Sequence, residues 1–429
     1  MRHQIMFSRW GLLCASALAS ALPLHAQSVR TGIDVSAEAE VTKSPYLTDD
    51  DAGWVGAGLV EVRPWLVSQT ETDRIELGAF ARGRAFTSEY PFEDSFGGSL
   101  SASRRASART SYFGQANILS TSARSNFSRF NRPGFGFDLT PLSPTAPQDP
   151  GAPGDPVVAP PPITSPILVS PIDDITIVGL QGRTTTMSIS AGMDRQLDTV
   201  SSLNASVGYN RLWVSEDALS GYDSANINLG YTRRLSARTS IGASIGAGQS
   251  RFDSGIPKTT TLSAFVNGQH QFNDTWSVNG SIGVSNSRAE ARGPFPEVDD
   301  TGIVGNVGTC RTDSRSRLCL SFSRSQQPSS LGQVRTSDAI DLNFSERLSA
   351  RDRVDIYANY GRSLATDDAL STLDDIEIAS VGGSFTRIFT PRLEGYAFGR
   401  ASRSWGGLLT NEPSLSFGVG IRARFGDRQ

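Results

Sequence analysis

The chain has 429 residues, 42 of them glycine and 38% hydrophobic, with a formal net charge of −3. That length would support a large core. Yet no segment carries a useful 3.6-residue apolar stripe, which argues against a soluble α/β enzyme. The mild acidity offers nothing to a nucleic-acid partner.

Residues 1–26 read as an export signal. Arg2 and Arg9 make a basic start, Trp10–Leu22 is the apolar stretch, Pro23 breaks it, and Leu24, His25 and Ala26 precede a cut before Gln27. The apolar run is too short for a membrane anchor. Cys14 lacks the small preceding residue of a lipoprotein signal. Cleavage removes two arginines and no acid, taking the charge from −3 to −5.

From Gln27 onward the chain alternates with period two. Strands are expected at 31–42, 53–69, 73–88, 95–106, 108–122, 183–197, 200–215, 223–235 and 238–252. They continue at 259–272, 275–289, 302–311, 316–327, 335–347, 351–364, 374–388, 392–406 and 412–425, eighteen in all. The first strand and the one at 302–311 alternate least regularly, and without both the count is sixteen. An even count returns both ends to one side of a barrel. Because only every second strand residue would face lipid, a low mean hydropathy is compatible with full insertion.

The turns repeat. Arg233–Ile241 reads RRLSARTSI and Glu346–Val354 reads ERLSARDRV, with looser copies at Arg104–Ser111, Gln269–Val278 and Thr386–Glu394. Turn centres at Ser236, Asn273, Asp313, Ser349 and Pro391 are about 37, 40, 36 and 42 residues apart. A unit of strand, variable loop, strand and tight turn describes an antiparallel up-and-down barrel, all-β and transmembrane. Residues 27–429 form that single barrel.

Alternation assigns faces. Ile227, Leu229 and Tyr231 oppose Asn226 and Asn228; Ile340, Leu342 and Phe344 oppose Asp341 and Asn343; Val354, Ile356 and Ala358 oppose Asp355 and Asn359. In a barrel the polar set lines a wet lumen. The final strand puts Phe417, Val419, Ile421 and Phe425 outward and Arg422 and Arg424 inward.

One segment departs from the pattern. Residues 133–171 hold 12 of the 22 prolines, so about 124–182 is an extracellular Pro-rich loop. Phe127, Phe130, Phe135 and Phe137 precede the prolines. They either fold into the mouth as a partial gate or extend the hairpin beyond the membrane.

Cys310 and Cys319 flank a turn in an exported chain and are expected to pair; two free thiols are the alternative. No catalytic constellation is legible. His270 is the sole histidine after the signal and sits beside a short turn, poorly placed to be a hydrolase base. The carboxylates at Asp49–Asp51, Asp299–Asp300, Asp367–Asp368 and Asp374–Asp375 read as solvated loop charge rather than as a metal site. No cofactor is expected. Lys43 and Lys258 are the only lysines; the arginines suit a lipopolysaccharide-facing rim or an anion-lined lumen, and high genomic GC content accounts for them equally.

The export signal, the repeated Leu-Ser-Ala-Arg-like turns and an alternating last strand with Phe425 together resemble bacterial outer-membrane β-barrel proteins of the porin type. One such family is associated with exopolysaccharide export. Gly426–Gln429 follow the terminal aromatic, a departure from the pattern. The resemblance implies the outer membrane of a Gram-negative bacterium, surrounding lipid and lipopolysaccharide, and an assembly machinery that reads the last strand. It also implies periplasmic polysaccharide-export components as partners, and a conduit rather than an enzyme. A structural or adhesive surface protein is the second reading. An outer-membrane enzyme is the third, disfavoured by the histidine count.

Overall fold

The structure, a computed structural model, describes residues 28–45, 53–88, 90–122, 182–215, 220–253, 257–289, 297–329, 334–364, 375–406 and 413–426. The export signal and the phenylalanines at 127, 130, 135 and 137 lie outside the described residues, as does nearly all of the Pro-rich loop.

Eighteen strands follow one another in chain order. They are β1 (Ser28–Lys43), β2 (Trp54–Gln69), β3 (Asp73–Phe86), β4 (Glu93–Ser107), β5 (Thr110–Ser122), β6 (Arg183–Gln196), β7 (Ser201–Val214), β8 (Tyr222–Ser236) and β9 (Thr239–Phe252). Then come β10 (Thr259–Gln271), β11 (Trp276–Ala289), β12 (Val298–Thr312), β13 (Ser316–Pro328), β14 (Val334–Arg347), β15 (Asp352–Leu364), β16 (Ile376–Thr390), β17 (Leu393–Trp405) and β18 (Ser414–Gly426). Each pairs antiparallel with its neighbours, and β1 pairs with both β2 and β18, so the sheet closes on itself. Closure removes the edges that hydrocarbon would leave unsatisfied. The two strands with the least regular alternation are both present. Each begins earlier than expected, at Ser28 and Val298.

The tight turns explain the sequence repeat. Each opens on a short polar residue. Ser107, Ser236, Ser349 and Thr390 accept the backbone N–H two residues on, from Arg109, Arg238, Arg351 and Arg392, at 3.0–3.2 Å. Asn273 does the same for Thr275 at 2.9 Å and Asp198 for Val200 at 2.7 Å. Such side chains stand in for a backbone turn, which is why hydroxyl and amide residues recur at this spacing. The start of β1, the end of β18 and all eight tight turns share one rim, the turn side. The variable loops share the other, the loop side.

The outward face is apolar at mid-height. Ile282 is 66% exposed, Ile303 67% and Val419 60%, each in a central part of its strand. Aromatic residues bound this aliphatic band: Tyr112, Tyr231, Trp276 and Phe425 towards the turns, Trp54, Phe96, Trp213 and Phe417 towards the loops. A soluble protein does not leave such a contiguous band uncovered. An apolar belt between two aromatic girdles around a closed sheet is the exterior of a membrane-spanning barrel. Among the described residues no helix is long and apolar enough to cross a membrane, a statement that does not bear on strands.

Candidate functional site

The inward faces of the strands form the candidate site. Asn226 and Asn228 alternate with the exposed Ile227 and Leu229, so they point inward. Asp341 and Asn343 stand opposite Asn359 and Tyr357 on the same face, with Asp355 two residues further along β15. Arg422 and Arg424 share the inward face of β18, while Phe417, Val419, Ile421 and Phe425 are exposed on the outside. Every lumen candidate therefore lies on the inner wall, although not as a bare lining. Asp355 receives Arg353 at 2.6 Å, and Arg422 and Arg424 both reach Glu394, at 2.8 and 3.1 Å. Asn359 accepts from Ser380 across the β15–β16 pair, and Asn228 donates to Asn226 at 3.3 Å.

Most of the inward ion pairs are gathered on one arc. On β1–β3 and β17–β18 the inward face carries Glu40, Glu61, Arg63, Arg82, Arg84 and Arg400. Glu40 is buried and takes Arg84 from β3 on one oxygen and Arg400 from β17, at 3.2 Å, on the other. Arg84 extends to Glu93 at 3.4 Å. Glu61 takes Arg63 and, at 2.8 Å, Arg82. Glu40 thus fastens β1 to strands on both sides of the seam where the first and last strands meet.

The opposite arc is neutral. The inward positions of β7, β9, β10 and β11 carry no charged residue, and those of β8 carry only Arg234, at the turn end. Serine, threonine, asparagine and glycine make up most of them. Hydroxyls and amides at this density offer hydrogen-bond partners to an uncharged polar solute without holding an ion.

Bulky inward side chains lie against the wall. Trp65, Phe80, Phe113, Phe265, Tyr357, Tyr396 and Phe398 each stand directly opposite a glycine of the neighbouring strand. The seven glycines are Gly32, Gly97, Gly192, Gly283, Gly382, Gly420 and Gly418. A Cβ on any of them would fall within 3 Å of the facing ring. The rings therefore fold flat over bare backbone instead of projecting towards the axis. Glycine inside a strand commonly marks such a close approach.

Cys310 and Cys319 are direct cross-strand partners on the inward face of β12 and β13, Cα atoms 4.1 Å apart, and are joined by a disulfide near the turn side. His270 faces outward at the turn-side rim, its Nδ1 2.9 Å from Thr239 Oγ1 and its ring edge-on to Phe272. No cluster of three or more metal-ligating side chains exists among the described residues. Asp299 and Asp300, expected as solvated charge, are engaged by Asn286 and Gln326 at 2.6 and 2.8 Å. Sequence reasoning did not find the Glu40 and Glu61 networks or the ring-over-glycine pairs.

A closed, eighteen-stranded antiparallel barrel with an apolar exterior and a polar interior defines a transmembrane β-barrel protein. Neither a protein-family model nor a curated protein sequence matches the chain. Among solved structures it is similar to the FrpB iron transporter from Neisseria meningitidis (F5-1 variant), at 9% identity over 94% of this chain and 83% of that one, TM-score 0.47. It is also similar to Pseudomonas aeruginosa OccK2 (OpdF), at 10% identity over 94% and 98%, TM-score 0.46. A BenF-like porin from Pseudomonas fluorescens Pf-5 shows 9% identity over 94% and 100%, TM-score 0.45. No residue role or substrate passes from those proteins to this chain.

Proposed function

We propose that the protein is a water-filled conduit through the outer membrane of a Gram-negative bacterium, passing neutral or weakly charged hydrophilic solutes. The observation that carries this is the seven rings laid flat over glycines, which keep bulk off the axis of a barrel too wide for side chains to fill. An export signal ahead of a closed barrel supports the outer membrane, since barrels span that membrane and helices span the inner one. Lipopolysaccharide at the loop side and the assembly machinery at β18 are the partners this implies.

The neutral arc favours a finer form of the same function, export of an uncharged sugar polymer delivered by periplasmic components. Purified protein in planar bilayers is expected to give stepwise, ohmic conductance with weak ion selectivity. Liposomes containing it should swell in neutral oligosaccharide. Silent bilayers and unswollen liposomes would leave a structural or adhesive surface protein in its place. Conductance without oligosaccharide entry would retain the conduit and remove the sugar polymer.

A further inference from the structure

The outward arginines near the two rims differ in how they are partnered. On the outward face near the loop side most arginines are engaged by carboxylates. Arg183 meets Asp94, Arg211 meets Asp223 at 3.1 Å and Asp253 at 2.8 Å, and Arg288 meets Glu297 at 2.6 Å. Arg362 meets Asp375 at 2.6 Å; Arg324 is looser, 3.7 Å from Asp338, and Arg251 donates to Gln249 at 3.3 Å.

The turn side differs. Arg104, Arg195, Arg233, Arg311 and Arg387 are exposed, and the strand register puts all five outward. Four of them have an apolar belt residue directly opposite in a neighbouring strand, while Asp73 also stands opposite Arg104 and Asp352 opposite Arg387. Arg104 stands opposite Tyr112, Arg195 opposite Leu203, Arg233 opposite Ile241, and Arg311 opposite both Trp276 and Leu318. Arg387 is two residues beyond the exposed Phe385 on the same face. These guanidiniums therefore sit where the apolar belt ends and water begins.

Among the described residues, three of the five have a carboxylate within ion-pair distance and two do not. Arg104 is 3.6 Å from Asp73, Arg387 3.8 Å from Asp352, and Arg311 3.1 Å from Asp313, and each of these three arginine side chains stays more than half exposed. Arg195 has no ion pair among the described residues, nor do the turn-tip residues Arg109, Arg315, Arg351 and Arg392; Arg233 feels Asp198 only through space. Guanidinium binds phosphate through a planar fork, and a basic residue at a membrane surface favours anionic lipid.

We propose that these five outward arginines form a site ring for anionic phospholipid headgroups in the leaflet on the turn side. The ring spans β4, β6, β8, β12 and β16, so it engages several lipids around the barrel rather than one. The proposal rests on the membrane-spanning barrel and not on transport, so an absence of conductance would leave it untouched.

The test is native mass spectrometry of the full chain released from mixed micelles holding equal dioleoyl-phosphatidylglycerol and dioleoyl-phosphatidylcholine. Retained lipid is expected to be mostly phosphatidylglycerol. Replacing the five arginines (Arg104→Gln, Arg195→Gln, Arg233→Gln, Arg311→Gln, Arg387→Gln) should bring the ratio close to one, each site contributing about fivefold. Arg183→Gln with Arg324→Gln on the loop side should leave it unchanged. Heat-modifiable gel mobility reports folding; if the fivefold variant does not fold, Arg195→Gln with Arg233→Gln carries the comparison. Equal retention of the two lipids by wild type would overturn the proposal, as would an equal loss in the loop-side control. So would binding of soluble alginate without lipid preference, which would make the rim a dock for an acidic polymer.

Discussion

Asp198 illustrates what one side chain does at the turn side. Its Oδ1 accepts the backbone N–H of Val200 and of Ser201, both at 2.7 Å. The Val200 N–H, with Ser201 and the charge of Arg233 added, holds the Asp198 carboxyl below the usual aspartate range. A lowered folded-state pKa contributes stability that is present above the unfolded pKa and lost as pH falls through the folded one. Wild type is therefore expected to melt above Asp198→Asn at neutral pH. That advantage should shrink once the pH drops below the ordinary aspartate pKa of about 4. Melting curves of the two proteins in detergent across that range check it, and a constant gap would refute it. Glu40 is the counterpart inside the wall. Glu40→Gln removes a buried charge that two arginines face, at a cost of about 3 kcal/mol. Urea unfolding followed by tryptophan fluorescence measures it. The strand propensities around Glu40 are unchanged, so an unaltered midpoint would mean the network adds nothing.

At the scale of elements, strands pair so that what one projects the next accommodates. Gly420 shows this most simply, because the three atoms nearest an added Cβ all belong to the Tyr396 ring. Gly420→Ala is expected to push that ring off the wall, with about 1 kcal/mol of rotamer strain, and to lower single-channel conductance. Adding Tyr396→Ala should restore it. Unchanged conductance in the single variant would mean that the ring does not border the path. The limits of sequence reading fall at this scale too. Alternation within a strand was visible, since period two needs no partner: Asn226 and Asn228 were assignable from Ile227 and Leu229 alone. The turn repeat was visible because its hydroxyl acts locally, as Ser236 does on Arg238. Nothing local marks Glu40 as the junction of Arg84 and Arg400, which lie 44 and 360 positions away. The same holds for Tyr396 and Gly420, whose meeting depends on the β17–β18 register.

For the whole molecule, the sorting of charge is the property that no single strand reveals. Inward ion pairs concentrate on the arc around the β1–β18 seam, neutral hydroxyls and amides predominate on the facing arc, and exposed outward arginines collect at the turn-side rim. The eighteen strands were countable from turn spacing, but this sorting emerges only once closure brings β1 beside β18. The cysteines and the histidine were visible in sequence as single positions. Their inward and outward settings follow from register and rim.

The seam also governs when the wall can exist. Thr42 on β1 and Ser416 on β18, 374 positions apart in the chain, meet at 2.9 Å. Closing so long a loop is entropically expensive, although each further doubling adds only about 0.6 kcal/mol. Until it closes, β1 and β18 each present a bare row of N–H and C=O groups that hydrocarbon cannot satisfy. A chain truncated before Ser414 supplies no partner for the free side of β1. Closure of the wall is therefore expected to be all-or-none: β1 keeps an unpaired side until β18, the last strand of the chain, is in place.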